Sequence, residues 1–259
     1  MVKLSLCIPA HNEEKNIHYP LDSAYDLVDE VIIINAASTD KTAEVAKSYG
    51  KKVKVFDFDN PKSFLINKQR AIEKAQGDWI LQLDADEALS EELKKEIKTI
   101  INDQSLATSH QSLITGYFIP RKNFFLGRFL MKGGVYPDHV LRLYRRDQAH
   151  FKAKDLHENV EVKGETGYLK SAILHYADPD FSRYLTRWNR YTTFDAETYF
   201  QQGKQLNFFA YFFIKPQCWF LKTYFRHKGF MDGFPGFVFS FFSALRFTAI
   251  YTKWWKLKH

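Results

Sequence analysis

At 259 residues, with 45% hydrophobic and 17% aromatic content, the chain can bury the core of one large domain plus an appendage, and it is too apolar to be disordered. Its two cysteines, Cys7 and Cys218, lie far apart and fit neither a disulfide framework nor a metal-ligand spacing, which points to a reducing compartment. The net charge of +7 is unevenly spread, with −4 over residues 1–100 and +11 over residues 101–259.

The chain opens into the apolar run 3–8 without a basic-then-apolar leader, so secretion is not expected. Strand-like runs at 3–8, 30–35, 52–56 and 78–83 alternate with helical patterns at 14–28, 39–49, 63–76 and 89–102. This alternation predicts βαβ units and a mostly parallel sheet. Ser38, Thr39 and Asp40 offer helix caps, and Gly50 and Gly77 sit at helix exits. From 103 to 180 the texture changes to short β-like runs at 116–120, 140–144 and 160–162, mixed with Gly, Pro and basic residues. Gly133-Gly134 suggests a mobile loop that closes over a ligand.

Residues 181–200 and 207–255 read as helical. After residue 200 there are nine basic residues and one acidic one, Asp232, among dense Phe, Tyr and Trp. No apolar run reaches the length of a membrane span, because Pro235 and Arg246 interrupt the best one, 234–251. At helical spacing Phe234, Phe237, Phe241, Phe242 and Leu245 share a face. That face either packs on the domain or lies in a membrane interface with lysines at the headgroups. A nucleic-acid partner is not expected, since basic residues among so many rings suit a bilayer better than a phosphate groove.

The strongest chemical signal is the run Trp79 to Leu83 leading into Asp84-Ala85-Asp86-Glu87. Two carboxylates just past a buried parallel strand stand where open α/β sheets bind ligands. They suit Mg²⁺ or Mn²⁺, which keeps waters and takes further ligands from a diphosphate. The competing reading is a cap for the helix starting near Leu89. His139, His157 and His175 match no zinc spacing.

Four segments, IPAHNEE (8–14), IINAASTDKT (33–42), NKQRAIEKAQGDW (67–79) and LDADE (83–87), resemble family 2 glycosyltransferases. Segments 121–146, 156–160, 174–193 and 228–237 are similar to the lipopolysaccharide-core glucosyltransferase branch. The resemblance implies an α/β nucleotide-sugar-binding fold of the glycosyltransferase A type with a helical C-terminal appendage. Residues 1–180 would be catalytic, with a nucleotide half (1–102) and an acceptor half (103–180), and 181–259 would form the basic-aromatic region. The implied reaction is an inverting, metal-dependent transfer of a hexose from a nucleoside diphosphate sugar, UDP-sugar first, to a glycan or glycolipid at the cytoplasmic face of a membrane.

Asp86 is the expected direct metal ligand, and Asp84 reaches the ribose or a metal-bound water. Pro9, Ala10, His11 and Glu13 begin the family's base-and-ribose pocket, and Lys68 faces the nucleotide, whereas Arg70 can equally be a solvated helix residue. Arg142, with Arg145 and Arg146, offers a cation to the diphosphate. Glu158 is the expected acceptor base, with Asp138 in reserve. Asn35 stands where the family has an aspartate that accepts uracil N3–H. Its amide can accept the same bond or turn and donate to cytosine, which leaves the base open. Two rival classes remain: a nucleotidyltransferase, which normally carries an early Gly-rich basic loop, and a catalytically idle sugar or lipid binder at a membrane surface.

Overall fold

The computed structural model describes residues 2–61, 63–102, 114–151, 160–178 and 180–259. In chain order the first half comprises β1 (Leu4–Ala10), α1 (His18–Ala24), β2 (Glu30–Ala36), α2 (Thr42–Ser48), β3 (Val53–Phe58), α3 (Phe64–Lys74), β4 (Trp79–Gln82), β5 (Glu87–Leu89) and α4 (Glu91–Asn102). Then follow β6 (Ile114–Phe125), β7 (Arg128–Leu130), β8 (Asp138–Arg145), β9 (Ala149–His150), β10 (Glu161–Val162), β11 (Glu165–Tyr168) and β12 (Ile173–Asp178). The C-terminal helices are α5 (Phe181–Gln201), α6 (Lys215–Phe220) and α7 (Gly233–Lys258).

Among the described residues a ten-stranded sheet runs in the order β3-β2-β1-β4-β8-β6-β12-β5, with β7 and β11 also paired to β6. Strands β3, β2, β1 and β4 are parallel, while β8 joins β4 antiparallel. Every residue of β1, β2 and β4 is buried, which is why they read as continuous apolar runs. Strand order reverses between β1 and β4, so their C-terminal ends flank a topological switch point, the usual ligand crevice of an open α/β sheet.

Contacts group the chain into two compact units: Met1–Arg121 with Asp138–His175, and Lys122–Pro137 with Tyr176–His259. In the first, Leu6, Ile8, Ile33, Leu81 and Leu93 form one core and Ile32, Ile34, Ile72 and Ile80 another, on the two faces of the strands. In the second, Phe125, Tyr184 and Val238 form one cluster, and Tyr211, Ile250 and Trp254 a further one.

The acidic segment after Asp86 begins as a strand, not a helix. Residues 87–89 pair with β12, and α4 starts at Glu91 with Ser90 Oγ accepting from Leu93 N at 3.2 Å. The Asp pair therefore does not cap α4. Pro235 does not interrupt the last helix either, because it falls in the first turn, where no backbone donor is needed. The stretch Gly229–Lys258 is thus one helix long and apolar enough to cross a membrane, by length and composition. Pro216, inside the preceding helix, cannot donate to the turn before it. The backbone widens to a π turn over Ala210–Ile214, and a second lies at Leu221–Arg226.

Candidate active site

Strand β4 delivers Asp84 to the switch point, and α3 brings Lys68 from the neighbouring crossover. Lys68 Nζ lies 2.8 Å from Asp84 Oδ1, and Arg142 Nη2, from β8, lies 2.5 Å from Asp84 Oδ2. The same Arg142 Nη2 is 2.9 Å from Glu87 Oε1, and Arg121 Nη1 reaches that oxygen at 3.1 Å. Glu87 also accepts the Asp84 backbone N–H at 2.9 Å, closing the turn on itself. Lys68, Glu87 and Arg142 are all buried.

Burial pushes the Asp84 carboxyl up, but the nearby Arg142 and Lys68 outweigh it and hold the group well below the usual carboxylate range. Burial, with Arg142 adding to it, pushes the Lys68 ammonium down. Burial works against the Arg142 charge, and Asp84 and Glu87 overcome it, so the guanidinium is held more firmly protonated than usual. The result is a fixed set of alternating charges beside the crevice, costly to bury and held by mutual pairing.

Asp86 faces a different partner. Its Oδ1 lies 3.5 Å from His175 Nε2 on β12, both side chains being mostly buried at 16% and 12% exposure. A carboxylate oxygen and an imidazole nitrogen at this separation fit adjacent ligands of one divalent cation such as Mn²⁺. Among the described residues no three His, Cys, Asp or Glu converge on a metal position. A metal here would take its remaining ligands from water and a diphosphate, the habit of hard cations at phosphate sites. Asp84, with both oxygens already facing cations, fits the ligand role less well than Asp86.

The loops after β1 and β2 are tied together. Asn12 N–H donates to Ser38 Oγ at 3.0 Å, and Asn12 Oδ1 accepts from Thr39 N at 2.7 Å. Glu13 N–H donates to Thr42 Oγ1 at 2.8 Å, and Lys41 N–H to Glu14 Oε2 at 3.0 Å. His11 Nδ1 lies 2.6 Å from Ala36 O. The turn residues Asn12 and Ala37 both hold positive φ, of 55° and 50°. Pro9 and Ala10 are buried at the end of β1, in register with Ile34 and Asn35. Asn35 Nδ2 donates to Asp57 Oδ1 on β3 at 2.7 Å.

Sequence spacing groups Arg142, Arg145 and Arg146 as one basic cluster, and the strand separates them. Arg142 turns inward, Arg145 lies over the Trp79 ring at 5.2 Å, and Arg146 Nε donates to Gly77 O at 2.9 Å. Arg70 is not a freely solvated helix residue, since it stacks on Phe58 at 4.6 Å and pairs with Asp59 at 2.7 Å. Asp138 opens β8 and accepts from Arg121 Nε and Nη2 through Oδ2, at 3.0 and 2.7 Å. Glu158 lies outside the described residues. The Gly133-Gly134 loop is held at several points: Met131 and Lys132 N–H donate to Asp232 Oδ2 at 3.0 and 2.7 Å, and Gly133 N–H donates to His227 O at 2.9 Å. Three side chains to which sequence reasoning gave no site role, Glu87, His175 and Asp57, have partners at the site. Glu87 lies in the 83–87 motif, but no local signal marks the partners, which the fold brings from other elements: Arg142 and Arg121 to Glu87, Asp86 to His175 and Asn35 to Asp57.

A switch-point crevice flanked by paired charges and a carboxylate–imidazole pair defines an α/β protein built for a phosphorylated ligand. Residues 5–172 match the family described as glycosyl transferase family 2, and the chain belongs to it. It is a glycosyltransferase. It is 31% identical to an uncharacterized glycosyltransferase of Rickettsia felis, over 94% of this chain and 86% of that protein. It is 27% identical to the lipopolysaccharide core biosynthesis glycosyltransferase LpsC of Rhizobium meliloti, over 94% of this chain and 91% of that protein. In fold it is similar to the mannosyltransferase PcManGT of Pyrobaculum calidifontis, solved with GDP-Man and Mn²⁺, at a TM-score of 0.57 and 10% identity, covering all of this chain and 88% of that one.

Proposed function

We propose that this chain is an inverting, metal-dependent hexosyltransferase that moves a sugar, glucose first, from a UDP-sugar to lipopolysaccharide core or another lipid-linked glycan. The approach of Asp86 to His175 at the end of β4 carries the metal part of this reading. Asp86 and His175 would hold Mg²⁺ or Mn²⁺, which when bound offsets the charge developing on the leaving diphosphate. Lys68 and Arg142 orient Asp84 for the ribose or a metal-bound water. Pro9, Ala10, His11, Glu13 and Asn35 contribute the base-and-ribose side. A single base takes the proton of the acceptor hydroxyl as that oxygen attacks the anomeric carbon from the face opposite the diphosphate, so the configuration inverts. Glu158 is our choice for that base. Asp138, one of whose oxygens is engaged by Arg121, is the alternative. The acceptor class is supported by the name of the Rhizobium relative.

The assay is transfer and donor hydrolysis with UDP-glucose in Mn²⁺, Mg²⁺ and EDTA. Asp86→Ala and His175→Ala should each lower the rate at least about 10²-fold, the scale of losing a main electrostatic stabiliser. Full activity in EDTA removes the metal from the mechanism. Glu158→Gln should lower turnover with nucleotide affinity nearly unchanged. If Asp138→Asn is the variant that stops turnover instead, the two residues exchange roles.

The second unit supports a seat on the cytoplasmic face of a membrane. Phe209, Phe213, Ile214, Leu221, Phe225 and Phe234 are all exposed, the last at 71%. Asp232, the lone acidic side chain after residue 200, is buried and accepts hydrogen bonds from Met131 and Lys132. The surface formed by residues after 200 therefore presents lysines, arginines and rings with no exposed side-chain carboxylate, the complement of an anionic bilayer, while Glu197 on α5 is exposed. Helix α7 lies along the surface in this reading, because Gly236, Ser240, Ala244 and Trp254 are buried against the protein. Flotation with anionic vesicles at low salt tests it. A protein that stays in the soluble fraction would return these rings to a structural role.

A further inference from the structure

We propose that Asp57 and Asn35 act as one reader of the donor base, selecting an imide base, uracil or thymine, over cytosine. The inference rests on the nucleotide-sugar reading above and adds to it the residue, Asp57, that fixes how Asn35 meets the base. Asn35 is the penultimate residue of β2 at 7% exposure, in register with Ala10 on β1 and Asp57 on β3. All three strand ends open on the carboxyl side of the parallel sheet, where such sheets bind ligands.

An asparagine alone is ambiguous at this position, because its amide presents an acceptor on one side and a donor on the other. Asp57 removes the ambiguity. Its Oδ1 lies 2.7 Å from Asn35 Nδ2, and a carboxylate has no proton to offer, so only the NH₂ side of the amide can face it. The carbonyl oxygen is thereby fixed on the other side. Among the described residues that Asn35 Oδ1 is buried with no hydrogen-bond partner. Buried acceptors are almost always satisfied, so a lone one next to a ligand crevice calls for a donor that arrives with the ligand.

Uracil and thymine carry a donor at N3–H, and cytosine carries a bare acceptor there. Against a carbonyl that cannot turn, the imide gains a hydrogen bond, and cytosine faces acceptor to acceptor. Asp57 is thus a positioning residue that acts through Asn35. It is exposed on a partly buried strand, so it is replaceable without opening the core.

The test is calorimetric binding of UDP, dTDP, CDP and GDP to the full-length protein with Mn²⁺ present, in wild type, Asp57→Ala and Asp57→Asn, each checked by thermal melting. Wild type should bind UDP and dTDP at least about tenfold more tightly than CDP, the scale of one satisfied against one opposed buried hydrogen bond. In both variants the amide is free to turn, and the UDP-to-CDP ratio should fall to within about threefold. A structural role for Asp57 would lower all affinities together and leave that ratio where it was, which overturns the proposal. So does a wild-type preference for CDP or GDP, which leaves the transferase reading standing. Binding of none of the four nucleotides removes the nucleotide-sugar reading itself, and this one with it.

Discussion

In the strand-rich unit, charge goes inward: Lys68, Glu87 and Arg142 are buried around Asp84, beside the fully buried strands β1 and β4. In the helical unit, the single late carboxylate is hidden, while aromatic side chains such as Phe209, Phe225 and Phe234 face out. The first unit accepts the cost of desolvating ions in return for groups of fixed position. The second leaves apolar surface unburied, a feature that marks interaction sites in soluble proteins. The contrast separates a part of the chain that pairs buried ions from a part that leaves aromatic side chains exposed.

The sharpest way to break this contrast is Arg142→Met. It leaves the half-buried Asp84 and the buried Glu87 without their shared cation, and the loss should be about 3–5 kcal/mol, read by urea denaturation. A loss under about 1 kcal/mol would mean that the cluster is solvated and not pinned. Acid should reach the same cluster late. Asp84 is held below its ordinary value, so its stabilising contribution is complete above about pH 4 and is lost as pH falls through the lower folded value. The melting temperature should decline in that acid range, and Asp84→Asn should start lower at neutral pH and decline less.

In the helical unit, Gly236 lies against Gly229 so closely that an added Cβ would meet the Gly229 carbonyl oxygen at 2.0 Å. Gly236→Ala should cost about 1–3 kcal/mol through backbone displacement, measured by thermal melting. An unchanged midpoint would show that α7 is loosely seated. The smallest effect concerns the exposed Lys228, whose change to Ala should weaken binding to anionic vesicles by about 1 kcal/mol and leave transfer to a soluble acceptor unaltered.

Much of the first unit was legible in sequence because its signals are local. Continuous apolar runs marked β1, β2 and β4, and the step from Leu83 to Asp84 marked the crevice edge. What stayed hidden was non-local. Glu87 sits in an acidic segment that resembles a helix start, and it becomes a buried strand residue through pairing with β12 and ion pairs to Arg142 and Arg121. His175 fits no zinc spacing, and its relation to Asp86 exists only once β12 is placed. Asp57 is an ordinary surface position on β3 until register sets it opposite Asn35. For the helical unit the Phe-rich face was visible, but its continuity across Pro235 depended on where the helix begins.

The stitching of the two loops after β1 and β2 has a kinetic and entropic consequence. Glu13 and Thr39 amides already have side-chain partners in the neighbouring loop. If a nucleotide binds there as proposed, it meets a finished wall, and little conformational freedom remains to be lost on binding. Hydrogen exchange at Asn12, Glu13, Thr39 and Lys41 should be slow in the free protein and change little when UDP is added, in the manner of a mould cast before the ligand arrives.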